Sequence, residues 1–378
     1  MKHLRILVLI LCMCFASVAW GEQLMCPAHT AWGEFHRYNM RRSNPCEKVL
    51  NAHNVGSLRL KWSNTSYFVA SSPAVANGMV YVGSSENNVY ALNAKAGAKL
   101  WSYTTGGPVQ TSPAAANGVV YVGSWDGNVY ALNASTGAKL WSYTTNIHYA
   151  VASSPAVANG VVYVGSGDSN VYALNAKTGA KLWSYTTDGP IGFSSPAVAN
   201  GVVYVGSEDQ NVYALNASTG ALLWIYATGG GVGSSPSVAN GVVYVGSGDS
   251  NVYALNASTG AKLWSYATGG VVQSSPAVAN GVVYVGSTDD NVYALNASTG
   301  ALLWSYPTGS YVFSSPAVAN GVVYVGSDDG NVYALNLKTG AKLWSYATGD
   351  LGNPSPAVAN GVVYVVSEVG NVYAFGLK

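Results

Sequence analysis

A unit of about 40 residues is repeated eight times along the chain, and this period constrains the fold more than any other feature. A Ser-Pro pair marks each unit, and successive pairs are 40, 42, 41, 40, 40, 40 and 40 residues apart. The serines of these pairs are Ser72, Ser112, Ser154, Ser195, Ser235, Ser275, Ser315 and Ser355. Repeats of this length that are rich in short strands are typical of propeller blades with four strands each.

The unit that begins at Ser274 shows how the four strands arise. Its SPAVA segment predicts strand A, since proline is tolerated at the first position of a strand. Asn280-Gly281 predicts a type I′ hairpin turn. VVYVGS and NVYALN predict strands B and C, and their continuous apolar character is typical of strands covered on both faces. Gly300 suits a turn residue with positive φ, and ALLWSY after it predicts strand D.

The order of the predicted strands favours a closed ring. A strand of D type, LRLKWS (58–63), precedes the first unit, and the last unit ends with its C strand, NVYAFGLK. The early strand can therefore complete the last blade, and closure removes exposed strand edges. An open solenoid would need polar caps at its two ends, which the sequence lacks. We expect an all-β protein, with an eight-bladed β-propeller of four-stranded antiparallel blades over residues 58–378.

The residues before the propeller predict export. Lys2 and Arg5 precede an apolar run, and Ala19 and Gly21 offer cleavage positions, a pattern typical of a secretory signal peptide over 1–21. The run is short for a membrane span, although an uncleaved anchor is the alternative. We expect a periplasmic or extracellular, cell-surface protein without a transmembrane segment after cleavage.

Residues 22–57 form an N-terminal extension in this interpretation. The mature chain would keep only Cys26 and Cys46, and two cysteines in an exported protein most simply form one disulfide. The formal net charge of +1 predicts no long-range attraction to nucleic acid or to anionic membranes.

The string NVYALNASTGAKLW (251–264), which recurs as ALN-A-x-TG-A-x-LW, resembles the PQQ-like propeller repeat of exported prokaryotic proteins and its tryptophan-docking motif. In that family the tryptophan of each D strand stacks on the Thr-Gly backbone of an adjacent blade. By position, the resemblance implies this role for Trp62, Trp101, Trp141, Trp183, Trp224, Trp264, Trp304 and Trp344. The family includes quinoprotein dehydrogenases, outer-membrane assembly lipoprotein propellers and surface proteins without known activity, so membership alone does not give a function.

Two departures from the family pattern bear on a dehydrogenase function. The usual aspartate of the repeat is asparagine, as at Asn256, and the units are nearly interchangeable, whereas a dehydrogenase pocket needs unlike residues from unlike blades. A PQQ enzyme would need a cofactor-stacking tryptophan, carboxylates for Ca²⁺ and an acidic general base. The only candidates are Trp125, Asp126 and Glu208, and these lie in predicted turns.

The units differ mainly in the B–C connections and in the connections from strand D to the next strand A. Both kinds of connection emerge at the same end of an up-and-down blade, so one face carries the variation. Loops on a rigid scaffold usually carry function. All 13 acidic residues after residue 64 lie in these connections, whereas the propeller lysines other than Lys378 lie beside C–D turns. The sequence therefore predicts one acidic face and an opposite basic face.

The candidate partner-binding residues on the acidic face are of two kinds. The acidic candidates are Asp126, Glu208, Asp209, Asp289, Asp290, Asp328 and Asp329. Three interpretations of these residues are open. They attract a cationic partner, or pairs of them bind Ca²⁺ weakly. In the third interpretation they are only turn residues that add solubility. The aromatic candidates, with one histidine, are Trp125, His148, Tyr149, Phe193, Tyr311 and Phe313. They form a binding patch near the channel mouth or fill the wide channel.

We expect a monomeric, non-catalytic propeller that binds a protein or peptide partner through this face. His148 has no visible partner and is not expected to be catalytic. The sequence predicts no catalytic, cofactor-binding or metal-binding residues, so no cofactor is expected. The alternatives are a dehydrogenase dependent on PQQ and Ca²⁺ and a structural cell-surface module.

Overall fold

Strand pairing in the computed structural model, which describes residues 42–65, 67–349, 355–367 and 370–378, gives one sheet per repeat unit. Strands A of neighbouring blades contact one another around the central channel, and strands B, C and D follow outward. Strands A are β3 (Ala74–Ala76), β7 (Ala114–Ala116), β11 (Ala156–Ala158), β15 (Ala197–Ala199), β19 (Ser237–Ala239), β23 (Ala277–Ala279), β27 (Ala317–Ala319) and β31 (Ala357–Ala359). Strands B are β4 (Met79–Gly83), β8 (Val119–Gly123), β12 (Val161–Gly165), β16 (Val202–Gly206), β20 (Val242–Gly246), β24 (Val282–Gly286), β28 (Val322–Gly326) and β32 (Val362–Val366).

The outer two strands of each blade are longer than strand A. Strands C are β5 (Asn88–Asn93), β9 (Asn128–Asn133), β13 (Asn170–Asn175), β17 (Asn211–Asn216), β21 (Asn251–Asn256), β25 (Asn291–Asn296), β29 (Asn331–Asn336) and β33 (Val372–Gly376). Strands D are β6 (Lys99–Thr104), β10 (Lys139–Thr144), β14 (Lys181–Thr186), β18 (Leu222–Ala227), β22 (Lys262–Ala267), β26 (Leu302–Pro307), β30 (Lys342–Ala347) and β2 (Arg59–Asn64). The blades are numbered 1 to 8 in the order of their A strands, so blade 8 contains β31, β32, β33 and β2.

The ring is closed by β2, as the sequence predicted. This strand pairs antiparallel with β33, in a register that places Arg59 opposite Gly376 and Trp62 opposite Ala374. The register shifts between Leu60 and Trp62, and the equivalent shift occurs in the C–D pair of every other blade. Blade 8 is therefore built like its neighbours, although its four strands come from the two ends of the propeller.

The hairpin turns also form as expected. Asn280 and Gly281 have φ of 51° and 75°, as a type I′ turn requires, and Gly300 has φ of 73°. These turns lie on one side of the ring, which we call the turn face. The B–C and D–A connections lie on the other side, which we call the loop face.

Adjacent blades are joined by the same contacts around the ring. The indole Nε1 of Trp264 in blade 5 donates a hydrogen bond to the carbonyl oxygen of Ala297 in blade 6 (2.9 Å), and the hydroxyl of Tyr244 donates to the same oxygen (3.0 Å). A Cβ at Gly300 would lie 2.8 Å from the Trp264 ring, so this close approach requires glycine. Trp344 differs, since blade 8 has no such glycine, and its ring packs edge-on against Phe375 with centroids 5.0 Å apart.

The N-terminal extension contributes a segment that the sequence did not place. Strand β1 (Ser43–Asn44) pairs parallel with β27, and a single 3-10 turn follows at Val55–Ser57. Arg42 is fully buried and donates to the carbonyl oxygens of Ser315 (3.1 Å), Pro316 (3.0 Å) and Pro356 (3.2 Å). Residues 42–44 therefore lie at the inner edge of blades 7 and 8.

The extension then continues to the turn face. Glu47 is buried, and its Oε2 accepts the backbone N–H of Gly361 (3.0 Å) in the A–B turn of blade 8. Asn320, in the A–B turn of blade 7, donates to the carbonyl oxygen of Leu50 (2.9 Å). The segment therefore contacts blades 7 and 8 both at the channel and on the turn face. Cys46 is buried, but Cys26 and the signal peptide at 1–21 lie outside the described residues, so the disulfide stays a prediction.

Candidate functional site

The loop face is held together by backbone hydrogen bonds between its two kinds of connection. The N–H of Val109, in the loop that leads from blade 1 to blade 2, donates to Ser84 in the B–C turn of blade 1 (2.9 Å). The N–H of Trp125, in the B–C turn of blade 2, donates to Pro108 of the same loop (2.9 Å). Each D–A loop of this kind bridges two neighbouring blades, so the loop face is a continuous surface.

Most of the predicted acidic candidates hold this surface in place. Asp249 accepts hydrogen bonds at Oδ2 from the Tyr253 hydroxyl (2.6 Å) and the N–H of Gly229 (2.7 Å), and at Oδ1 from the N–H of Asn251 (3.0 Å). Burial raises its pKa, but the bonds from Tyr253, Gly229 and Asn251 outweigh burial and hold the pKa below the ordinary value. The same tyrosine-aspartate bond occurs at Asp126, Asp168, Asp209, Asp289 and Asp329. All of these carboxylates except that of Asp168 also accept a backbone N–H just after strand D of the preceding blade, and so connect that blade to a B–C turn.

The other acidic candidates have different surroundings. Glu208 is exposed, and a Cβ at Gly231 or Gly192 would lie 2.7 Å or 3.1 Å from its carboxylate oxygens. It therefore lies between two glycine-containing loops. Asp290 has φ of 69° and accepts the N–H of Thr308 with its carbonyl oxygen (2.7 Å), whereas the N–H of Asp328 donates to Tyr311 (2.9 Å). Within the described ranges, no group of three or more His, Cys, Asp or Glu residues could hold a metal ion.

Large apolar side chains are exposed on the loop face. The exposed fractions are 45% for Trp125, 68% for Ile147, 49% for Tyr149, 64% for Phe193 and 49% for Tyr311. Ile147 was missed by sequence reasoning, although it lies in the longest D–A connection of the chain, which accounts for the 42-residue step. Sequence comparison of the units singled out aromatic residues and passed over this aliphatic one.

The exposed side chains of blades 2 and 3 are neighbours. A Cβ at Gly127 would contact the backbone of Asn146 and Ile147, so the turn that carries Trp125 lies against the loop that carries Ile147 and Tyr149. His148, in the same loop, is exposed, and its backbone N–H donates to the side chain of Asn146 (3.1 Å). On blade 7, Tyr311 and Phe313 pack edge to face with centroids 5.8 Å apart.

A cavity of about 170 Å³ opens at the centre of the loop face, in the mouth of the channel. Phe193 and Phe313 line it, whereas Trp125, Tyr149 and Tyr311 lie outside its lining. The remaining side chains of the lining are Gln110, Gln273, small residues and one serine from each blade. These are Ser72, Ser112, Ser154, Ser195, Ser235, Ser275, Ser315 and Ser355, which we call the lumen serines.

Hydrogen bonds link the lumen serines at seven of the eight junctions between blades. The N–H of Ser112 donates to the Oγ of Ser154 (2.9 Å), and the same bond occurs at each following junction up to the one between blades 8 and 1. All eight serines are at most 7% exposed. Sequence reasoning missed these bonds because it searched for positions that differ among the units, and these serines do not differ.

Comparison with known proteins relates the whole propeller to characterised folds. The family model described as outer membrane protein assembly factor BamB matches residues 47–195, 187–274 and 267–378. The crystal structure of BamB from Moraxella catarrhalis is 22% identical, with a TM-score of 0.74 over 85% of this chain and 100% of that chain. Quinohemoprotein alcohol dehydrogenase from Comamonas testosteroni is 18% identical, with a TM-score of 0.80 over 92% of this chain and 80% of that chain.

A computationally designed protein, Ika8, is also similar in structure. It is 18% identical, with a TM-score of 0.74 over 84% of this chain and 98% of that chain. Structural likeness at these identities shows the fold alone. No curated protein matches the chain in sequence. None of the helical residues described here belongs to a helix long and apolar enough to cross a membrane.

Proposed function

The chain belongs to the family of outer membrane protein assembly factor BamB, and we propose that it is an exported, non-catalytic propeller that binds a protein partner through its loop face. The observation that carries this proposal is the exposure of Trp125, Ile147, Tyr149 and Phe193 on one face of blades 2 to 4. Exposed large apolar side chains that cluster on a polar surface are typical of sites for protein partners.

The charges of the loop face suggest the chemistry of the partner. Glu208 is exposed beside Phe193's loop, and the connections on this face carry acidic residues, whereas the lysines lie beside C–D turns on the opposite face. A partner segment that combines Lys or Arg with apolar side chains would complement both features. We therefore propose an extended, cationic, partly apolar polypeptide as the ligand of this face.

The alternative of a PQQ-dependent dehydrogenase is supported by the PQQ-like repeat and by the structural likeness to quinohemoprotein alcohol dehydrogenase. The described residues that line the channel mouth are serines, glutamines, phenylalanines, alanines and a glycine. A quinone with a Ca²⁺ ion needs carboxylate ligands and an acidic general base, and this lining supplies neither. The described residues of the channel mouth therefore do not fit that cofactor.

The proposal is tested by selecting peptides that bind the immobilised mature protein and measuring their affinities by calorimetry. We expect the selected peptides to be cationic and partly apolar, with an affinity that falls as salt is raised. The variant Trp125→Ala/Tyr149→Ala should bind them at least about tenfold more weakly, since aromatic anchors each contribute roughly 2 kcal/mol or more at such sites. The control Lys177→Ala/Lys181→Ala, on the turn face, should bind as the wild type does.

Three results would contradict the proposal. Equal binding by the Trp125→Ala/Tyr149→Ala variant would exclude the exposed aromatic residues as the contact surface. Reduction of an electron-accepting dye with an alcohol, after incubation with PQQ and Ca²⁺, would instead support the dehydrogenase. Failure to select any peptide would favour the third possibility, a structural surface module.

A further inference from the structure

The lumen serines leave a set of hydrogen-bond donors directed at the channel mouth. Every lumen serine except Ser112 accepts a backbone N–H of the preceding blade with its hydroxyl oxygen, as in the bond from Ser195 N–H to Ser235 Oγ (2.8 Å). In the described part of the chain, no lumen serine donates its own hydroxyl hydrogen to an acceptor. The serines are more than nine-tenths buried, so a group inside this cavity is the acceptor available to their hydroxyl hydrogens.

Two amides add both donors and acceptors. Gln110 precedes strand A of blade 2 and Gln273 precedes strand A of blade 6, so the two side chains lie on opposite sides of an eight-bladed ring. Among the described residues, neither amide has a hydrogen-bond partner. Phe193 and Phe313 complete the wall with apolar faces, at blades 4 and 7.

This lining excludes the simplest ligand classes. A purely apolar ligand would leave buried hydroxyl and amide groups without partners, which is unfavourable. A small anion would find donors, but no cationic side chain is among the described residues of the lining. The nearby guanidinium of Arg42 already donates to the carbonyl oxygens of Ser315, Pro316 and Pro356. An anion would also have to pass the acidic loop face and Glu208. A neutral ligand with several oxygen atoms fits, because its hydroxyl groups both accept from serine and donate to glutamine.

We infer that the channel mouth is a binding site for a single uncharged sugar ring. A pyranose has ether and hydroxyl oxygens around its edge to accept from the lumen serines, and apolar C–H faces to pack on Phe193 and Phe313. The cavity of about 170 Å³ equals the liquid volume of about six water molecules, which is enough for one ring and small beside the pockets of about 300–1,000 Å³ that hold larger ligands. This site shares Phe193 with the surface that we propose for a protein partner, but Trp125 and Tyr149 of that surface lie outside its lining.

The inference is tested by saturation-transfer NMR and titration of the mature protein with D-glucose, D-galactose and N-acetylglucosamine. At least one of these sugars should bind saturably with a Kd in the millimolar range. Gln110→Ala/Gln273→Ala should weaken binding at least about tenfold, since it removes two hydrogen-bonding groups without disturbing any described side-chain bond. Trp125→Ala/Tyr149→Ala should leave sugar binding unchanged, which separates this site from the surface for the protein partner.

Acetate and inorganic phosphate are tested in parallel. Saturable binding of either anion in place of the sugars would overturn the inference in favour of an anion site. Absence of saturable binding for every probe would also overturn it, and would mean that the donors are satisfied by water alone. Retention of full sugar affinity by Gln110→Ala/Gln273→Ala would place the sugar elsewhere.

Discussion

Ser355 donates its backbone N–H to the Oγ of Ser72 across 2.8 Å, although 283 residues separate the two in sequence. The bond continues the ring of lumen serines through the junction between blade 8 and blade 1. The same junction carries the bonds from Trp62 Nε1 (3.0 Å) and the Tyr364 hydroxyl (3.3 Å) to the carbonyl oxygen of Ala94. The junction at which the ring closes therefore carries the same bonds as the interfaces between consecutive blades from blade 2 to blade 7.

Replacing Trp62 should consequently be as destabilising as replacing a tryptophan within the ring. We expect Trp62→Ala to lower the free energy of unfolding by roughly 3–5 kcal/mol, because it removes a large buried side chain. Trp264→Ala is the matched control and should have a similar effect. Urea denaturation measures both. A Trp62→Ala protein as stable as the wild type would show that blade 8 does not dock on blade 1.

Glu47 should stabilise the N-terminal segment through three backbone bonds. Its Oε1 accepts the N–H groups of Val49 (2.7 Å) and Leu50 (3.1 Å), and its Oε2 accepts that of Gly361. Glu47→Gln replaces one accepting oxygen with an NH₂ group and leaves a buried N–H unsatisfied, so we expect a loss of about 1–3 kcal/mol. The exposed Glu86 provides the control, since Glu86→Gln should change the urea midpoint little. Equal effects of the two substitutions would contradict this account.

Asp249 should stabilise the B–C turn of blade 5. Asp249→Asn keeps the shape but replaces an oxygen that accepts from both Tyr253 and Gly229, so we expect a loss of about 1–3 kcal/mol. Amide exchange at Gly229, measured by NMR, should accelerate at the same time, because its N–H loses its acceptor. An unchanged exchange rate would mean that the bond contributes nothing to the loop.

Acid should destabilise the propeller through these aspartates. The folded-state pKa values of Asp249 and Asp329 lie below the ordinary 3.8, because their hydrogen bonds outweigh burial. Their contribution to stability is therefore full above about pH 5 and is lost as the pH falls through 3.8 toward the folded pKa values. We expect the urea midpoint to fall in this range, and to fall less for Asp249→Asn/Asp329→Asn. If the urea midpoint fell equally with pH in the wild type and in Asp249→Asn/Asp329→Asn, other groups would be responsible for the acid sensitivity.

Alkali should act on Tyr364 at the closing junction. Burial raises its pKa to about 12, from 10.0 in an exposed tyrosine. The neutral phenol thus stabilises the fold fully below pH 10.0, and this contribution is lost as the pH rises toward 12. Tyr364→Phe should lose less stability between these pH values than the wild type. A phenolate absorbance titration that shows every tyrosine ionising near 10 would contradict the prediction.

The repeat made most of the architecture predictable from sequence. Positive φ at Asn280 and Gly281 and the pairing of β2 with β33 follow from local turn chemistry and from counting strands, so both were predicted. The path of the extension was not, because Arg42 and Glu47 occur once in the chain and have no repeated counterpart to compare. Their positions depend on tertiary contacts with Pro316 and Gly361, which no local pattern encodes.

The candidate site was predictable in its location but less so in the roles of its residues. Sequence placed Asp209, Asp289 and Phe193 on one face, as strand alternation requires. It could not show that Asp209 and Asp289 accept hydrogen bonds from Tyr213 and Tyr293 four residues later, because that bond depends on the curvature of the turn. Nor could it show that Phe193 lines the channel whereas Trp125 does not.

Because blade 8 combines β2 with β31, β32 and β33, the ring can close only after β33 has been synthesised. Strand β2 leaves the ribosome before any complete blade, whereas its partner β33 is synthesised after the other seven blades. Those seven blades can assemble one after another on the nascent chain, but β2 keeps its edges unpaired until β33 has been synthesised. Termination of translation before β33 would therefore release a chain with open sheet edges, which is prone to aggregate.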